Sequence, residues 1–335
     1  MKRFISLVTI GLGLLYWLGT NAPIALAAST SANSSPVSSG QALQIAPPIL
    51  TLTANPGQTI KPQIELRDIS SANMLVTNEI NDFIAQGENG TPKILMGNNY
   101  SDPFSIKNWI KPLPSFTLTS QQIQTLTLDI NVPANASPGG HYGVIRFTGT
   151  PAQMQTTGVS LTASLGTLVL LTVNGKLNDN LAVQQFSAAD SSNNPGWFFE
   201  SAPVNFIVRT KNMGNVQEEP TGHIAITDMF GKLISDVIIN IPPRDVLPDS
   251  IREFIGTLGS TTIGNKALFG RYHAELSLSY GVASSKTLKA DLTFWVIPYK
   301  LIAVISVLVI VAFFLLRFLI KRYNRIIVSK ARPRR

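Results

Sequence analysis

Short runs in which apolar and polar residues alternate, broken by Pro, Gly and Asn, fill the chain between residues 45 and 297. In IQTLTLDINV at 123–132, Ile123, Leu126, Leu128, Ile130 and Val132 mostly keep a period of two, the mark of a half-buried strand. ILTLT at 49–53, TIKPQIEL at 59–66 and HYGVIRFTG at 141–149 read the same way. Asn55-Pro56-Gly57, Glu88-Asn89-Gly90 and Ser137-Pro138-Gly139-Gly140 supply turn chemistry between them. No stretch of this region carries an i, i+3, i+4, i+7 apolar stripe over three turns, so the pattern predicts an all-β fold. GVSLTASLGTLVLLTVNG at 158–175 is too long for one simple edge strand, and Gly166 near its middle predicts a bulge or bend.

The second half repeats the logic, with strands in APVNFIVRTKNMGN at 202–215, HIAITDMFGKLISDVII at 223–239 and the later runs at 250–258, 271–281 and 286–297. About seven strands per half, with turn signals every 8–14 residues, predict two tandem immunoglobulin-like β-sandwiches. The expected divisions are 45–175 and 176–297, joined at the turn-rich Asn174-Gly175 and LNDN passage. A weak echo links Gly140-His141-Tyr142 to Gly270-Arg271-Tyr272, both at the start of a penultimate strand, where a Tyr often bonds the preceding corner.

Both ends depart from this pattern. Lys2 and Arg3 precede an apolar run from Phe4 to Leu18, then Pro23 and the small-residue site Ala25-Leu26-Ala27, the order of a signal peptide over 1–27 cleaved after Ala27. STSANSSPVSSG at 29–40 makes 28–44 a flexible linker. Leu301–Leu316 reads LIAVISVLVIVAFFLL, and 301–320 at ~1.5 Å rise spans roughly 30 Å of hydrocarbon. This predicts a transmembrane helix over 298–320, with Trp295, Tyr299 and Lys300 at one interface and Arg317, Lys321 and Arg322 at the other. The tail 321–335 carries seven basic and no acidic residues, so it is expected in the cytoplasm and the sandwiches outside a single-pass cell-membrane protein.

Composition then changes meaning by position. The whole chain has 27 Lys and Arg against 19 Asp and Glu, a formal +8. Residues 28–299 hold 16 of the basic and all 19 acidic residues, a net of −3. The excess positive charge belongs to export and insertion, and nucleic-acid binding by the ectodomain is unsupported. With no cysteine in the chain, each sandwich is held by packing and not by disulfides.

Chemistry is sparse. His141, His223 and His273 form no HExxH or closely spaced metal pair, and His141 and His273, beside the two tyrosines, read as strand-surface residues. No GxSxG elbow, phosphate loop or SxxK set is present, and no cofactor is implied. The expectation is a non-enzymatic binding protein. Trp109 in SIKNWIKP and Trp197 in NNPGWFFE sit beside loops, where they either pack at corners or stack on sugar or a partner. Lys107 and Lys111 flank Trp109 and suit an anionic wall polymer.

The order of signal, two sandwiches, helix and basic tail resembles the WxL-interacting proteins of Gram-positive surfaces. VPANASPGGHYGVIRF at 132–147, LGTLVLLTVNG at 165–175 and the NMGN turn at 212–215 carry the resemblance. It implies a first domain that contacts peptidoglycan and a second that contacts protein or a host surface. Partners expected from the whole reading are the bilayer and a cell-wall polymer or envelope protein. The alternative is a membrane-anchored assembly factor that adds a strand to a client through an exposed sheet edge, suggested by the long apolar strand at 158–173.

Overall fold

The computed structural model describes residues 43–97, 102–151, 163–259 and 268–330. The signal with Ala25 and Ala27, nearly all of the linker, residues 158–162 of the long apolar run and the last five residues lie outside them.

Within 43–173 the strands are β1 (Leu43–Ala46), β2 (Ile49–Ala54), β3 (Thr59–Ile60), β4 (Gln63–Asp68), β5 (Met74–Gln86), β6 (Thr91–Leu95), β7 (Phe116–Leu118), β8 (Ile123–Thr127), β9 (Ile130–Asn131), β10 (Gly139–Pro151) and β11 (Ala163–Val173). β1-β4-β8 form one sheet and β2-β11-β10-β5-β6 the other, with β7 paired to β5 and a small β3-β9 ribbon. The chain changes sheet between β1 and β2 at Pro47-Pro48, where neither residue has an N–H for a ladder. Leu66, Leu118, Ile145, Phe147 and Leu171 fill the core between the sheets.

The second sandwich holds β12 (Leu181–Ala189), β13 (Phe198–Phe199), β14 (Val204–Asn212), β15 (Thr221–Asp228), β16 (Leu233–Ile239), β17 (Ile251–Leu258), β18 (Gly270–Tyr280) and β19 (Lys286–Val296). β12-β14-β17 faces β13-β19-β18-β15-β16 across a core that includes Phe206, Leu276 and Phe294. The tyrosine expectation splits here. Tyr272 bonds the backbone of Phe269 in its own corner, its oxygen 3.0 Å from that N and 3.3 Å from that O. Tyr142 instead reaches into the other sandwich.

Two further expectations change. The described part of β11 keeps an unbroken antiparallel register with β10, from Ala163 opposite Gly149 to Val173 opposite Gly139, so Gly166 marks no bulge. A Cβ at Gly166 would stand 2.9 Å from Val144 Cγ2, so the glycine leaves room for Val144 across the sheet. The helix α1 runs Tyr299–Lys330, well into the expected basic tail. No proline interrupts the chain after Pro298 until Pro333, so nothing ends the helix where the apolar run ends.

β11 lies inside the six-stranded sheet rather than along its edge, yet its two halves differ. Leu168–Val173 pair in parallel with Ile49–Ala54. Residues 163–167 pair with β10 on one side only, and no described strand is hydrogen-bonded to the other. The Leu168 N–H donates to Pro48 O at 2.9 Å, so by strand alternation the N–H and C=O of Gly166 and Ser164 point to this open flank. Native-state hydrogen exchange should show it: the Gly166 amide should exchange roughly 100-fold or more faster than those of Leu168 and Leu170. Equal protection along the strand would mean the flank is closed.

Candidate functional site

The two sandwiches meet along a seam with an apolar centre and polar ends. Side chains on β10 and β11 alternate: Ile145, Phe147, Val169 and Leu171 enter the first core, while Val144 and Leu170 point to the outer face. On that outer face Phe83, Tyr142, Val144 and Leu170 form a separate buried cluster, and Leu247 of the second sandwich packs onto it. At this place the sheet is apolar on both faces, which accounts for the near-continuous LVLL run at 168–171.

At one end of the seam, Tyr142 Oη donates to Gln217 Oε1 at 2.9 Å, and Gln217 Nε2 donates to Thr172 Oγ1 at 3.1 Å. Burial pushes the Tyr142 phenol up, the nearby Asp245 carboxylate adds to this, and the group stays a donor at any working pH. The Gly140 N–H donates to Asn215 O at 2.7 Å, and Asn215 Nδ2 to Pro138 O at 2.9 Å. A Cβ on Gly139 would fall 2.4 Å from that same Asn215 O, so Gly139 admits the neighbouring backbone, while Gly140 leaves room for the Tyr142 hydroxyl and Gln217. Asn212, fully buried, holds the receiving loop by donating from Nδ2 to Val216 O (2.7 Å) and Val246 O (2.8 Å). The NMGN and PGG signals, readable in sequence only as turns, are thus two halves of one contact.

At the other end the β5–β6 turn docks on β14 and β17. Arg209 sits between Glu88 (2.5 Å) and Glu253 (2.9 Å), and the Glu253 N–H donates to Glu88 O at 2.7 Å. The Arg252 guanidinium lies against Gly90, where a Cβ would meet its Cζ at 2.3 Å. Between these ends a pocket of about 300 Å³ opens, walled by Ile49, Leu168, Leu170 and Phe83 on one side and by Arg244 and Ile251 on the other. It adjoins the point where β2 begins to pair with β11.

The residues singled out from sequence are scattered. Lys107 and Trp109 lie in a short 3₁₀ turn, Lys107–Trp109, and line a polar cavity of about 720 Å³ with Asp82, Asp102, Asn135 and His141. Trp109 is half-buried against the first core, its ring 4.4 Å from that of His141. Lys111 is exposed and outside this lining. His223 and His273 are exposed, but His141 is buried, which corrects its reading as a surface residue. Burial holds its pKa down, against the Ser137 carbonyl and Asp102, so the ring is neutral. The Ser137 carbonyl accepts from Nε2 at 2.9 Å, which leaves Nδ1 as an acceptor with no partner. Trp197 stands apart in the second sandwich with its neighbours Phe198 and Trp295. Trp295, Tyr299 and Lys300 cluster where α1 begins, and α1 is the one helix among the described residues long and apolar enough to cross a membrane, over Tyr299–Arg322. Arg317, Lys321 and Arg322 fall at the far end of that span.

Sequence reasoning missed Glu218 and Asp245 as seam residues. Glu218 is buried beside the Gln217 bridge, and its backbone pairs with Val246 at 3.1 and 2.7 Å. Its carboxyl accepts from the Gly281 N–H at 2.9 Å and leaves Oε1 without a partner. Burial, reinforced by Asp179 and opposed by the Gly281 bond and Lys286, pushes its pKa up to about 7. Burial and Glu219 push Asp245 up to about 6, against Arg252. Each folded-state pKa lies above its unfolded value, so the folded chain binds more protons and stability falls as pH rises from about 4 to 7. Glu218→Gln, which keeps an acceptor for Gly281 but cannot ionise, should raise Tm at pH 8 by roughly 2–6 °C and change it little at pH 5. A variant with the wild-type pH profile in thermal unfolding would show that Glu218 is not the group that titrates.

No family model matches the chain, and no curated protein does, so the resemblance to WxL-interacting proteins gains no support there. Solved structures with which the chain aligns include fimbrial chaperones. The class 5 fimbriae chaperone CfaA is 13% identical, with 75% of this chain and 98% of that one covered at a TM-score of 0.40. The E. coli chaperone DraB is 15% identical, with 75% and 98% covered at 0.36. The Pseudomonas aeruginosa CupB2 chaperone is 7% identical, with 75% and 100% covered at 0.34.

Proposed function

We propose that this chain is a non-enzymatic, membrane-anchored assembly factor whose two sandwiches, divided at Gly175-Lys176, hold an extended segment of an envelope protein. In this reading α1 spans the bilayer once, the sandwiches lie outside and the basic tail lies in the cytoplasm. The observation that carries it is the open flank of β11 at 163–167, next to the apolar pocket of the seam. A client strand laid there would accept from the N–H groups of Gly166 and Ser164 and donate to their carbonyls. Leu165, half-buried against the first core, would gain cover from the client's inward side chains. A photo-crosslinking residue at Ser164 in living cells should yield an adduct with one or a few envelope polypeptides. The same residue at the exposed Lys61 should not. No adduct at 164, or the same adducts from both positions, would remove this reading.

A second reading, that the first sandwich contacts a wall polymer, is favoured by the polar cavity around Trp109. Two carboxylates against one lysine there disfavour the anionic polymer expected from Lys107 and Lys111. Asp, Asn and Trp together suit a neutral, hydroxyl-rich sugar. Calorimetry with neutral wall oligosaccharides should show binding that Trp109→Ala lowers at least about tenfold, the loss of ~1.4 kcal/mol. Binding unchanged by that substitution would exclude the cavity.

A further inference from the structure

We propose that the end of the second sandwich from which α1 emerges is seated in the headgroup layer of the bilayer, through a collar of exposed aromatic side chains. This inference rests on the membrane-spanning reading of α1.

Four separate stretches meet at this end. Phe198 pairs with Trp295, and the Trp295 N–H donates to Trp197 O at 2.8 Å, which sets Trp197 and Phe198 beside the end of β19. Gly270 pairs with Val296, so Phe269 reaches the same end. The Met229 methyl lies over Gly270, where a Cβ would be 2.1 Å from it, which brings in the β15–β16 turn that carries Phe230. That turn is held by Asp228, whose Oδ1 accepts from the N–H groups of Phe230 (2.9 Å) and Lys232 (3.0 Å). Phe230 is therefore presented by a fixed loop and not by a floppy one. Phe230 is 86% exposed, Trp197 69% and Phe269 61%. The Phe198 ring lies 6.1 Å from that of Tyr299, and Lys300 pairs with Glu200 at 2.5 Å, so the first residues of α1 belong to the same surface.

Exposed apolar groups gathered at one end of a sandwich mark an interaction surface. The covalent geometry selects its occupant. β19 ends at Val296 and α1 begins at Tyr299, leaving only Ile297 and Pro298 between them. Two residues reach at most about 7 Å, close to the thickness of one headgroup layer. With the apolar run of α1 starting at Leu301, this end of the sandwich cannot stand clear of the interface. Trp, Tyr and Phe are stable at that depth, and the exposed Lys232 and Arg271 can meet lipid phosphates.

The chain has no cysteine, so single-cysteine variants of the full protein can carry a nitroxide label. Phe230→Cys, Phe269→Cys, Val309→Cys in α1 and Lys61→Cys as a reference would be reconstituted in phosphatidylcholine–phosphatidylglycerol vesicles. Collision with dissolved oxygen and with an aqueous nickel chelate reads depth. The expected result is Val309→Cys in hydrocarbon, with Phe230→Cys and Phe269→Cys at phosphate depth and several-fold less accessible to nickel than Lys61→Cys. If Val309→Cys reads as lipid while both collar labels match Lys61→Cys, the collar is overturned and the anchor stands. Collar labels shielded from both reagents would mean protein contact and would also overturn it. A Val309→Cys label in water would overturn anchor and collar together.

Discussion

Around Tyr142, Val144 and Leu170 the six-stranded sheet of the first sandwich is apolar on both faces, and the contact between the two sandwiches follows from the need to cover the outer one. An antiparallel sheet with one solvated face alternates apolar and polar residues. Here β10 and β11 point Ile145, Val169 and Leu171 inward while Tyr142, Val144 and Leu170 point outward into a second buried cluster. At ~25 cal/mol per Å² of apolar surface, leaving those outer side chains in water would be costly for a chain that has no disulfide to compensate. The second sandwich supplies the cover, through Leu247 and the loop that carries it.

Apolar cover does not fix orientation, so the polar groups at the two ends of the seam do. Tyr142, Gln217 and Thr172 form a short chain of hydrogen bonds, and Gly139 lets the Asn215 backbone approach more closely than any side chain would allow. At the far end Arg209 between Glu88 and Glu253 is partly exposed, so its ion pairs contribute direction more than energy. The small apolar pocket lies between these two ends.

The β content, the turns and the long apolar helix were legible because each is a local pattern: period two in Ile123–Val132, Pro-Gly and Asn-Gly punctuation, an unbroken apolar run after Lys300. The seam was not, because it is made of residues whose local reading is complete without it. Gly139-Gly140 and NMGN each read as turns, and only their juxtaposition makes them a contact. The same applies to the open flank of β11. A long apolar strand suggested an edge, but apolar length reports burial on both faces, and the strand is in fact internal. What makes half of it available is that β2 starts only at Ile49, after Pro47-Pro48, a property of a partner strand more than a hundred residues away. His141 failed as a surface residue for a similar reason, since the loop bearing Ser137 and the turn bearing Trp109 close over it.

The open flank is inexpensive to maintain, and on the proposed reading this shapes what it would recognise. The backbone groups of Ser164 and Gly166 are hydrated when free, so pairing them with a client exchanges water bonds for protein bonds at a net gain of only ~0.5–1.5 kcal/mol each. Two such residues cannot supply specific affinity alone. Discrimination must come from side chains: inward ones that extend the first core beyond Leu165, and outward ones near the pocket walled by Ile49, Leu168 and Phe83. A segment with apolar residues at alternate positions satisfies both at once, and a one-residue slip would turn its polar side chains toward the core. On the proposed reading, the flank would therefore select register first and sequence through register, while the backbone pairing would align the two chains.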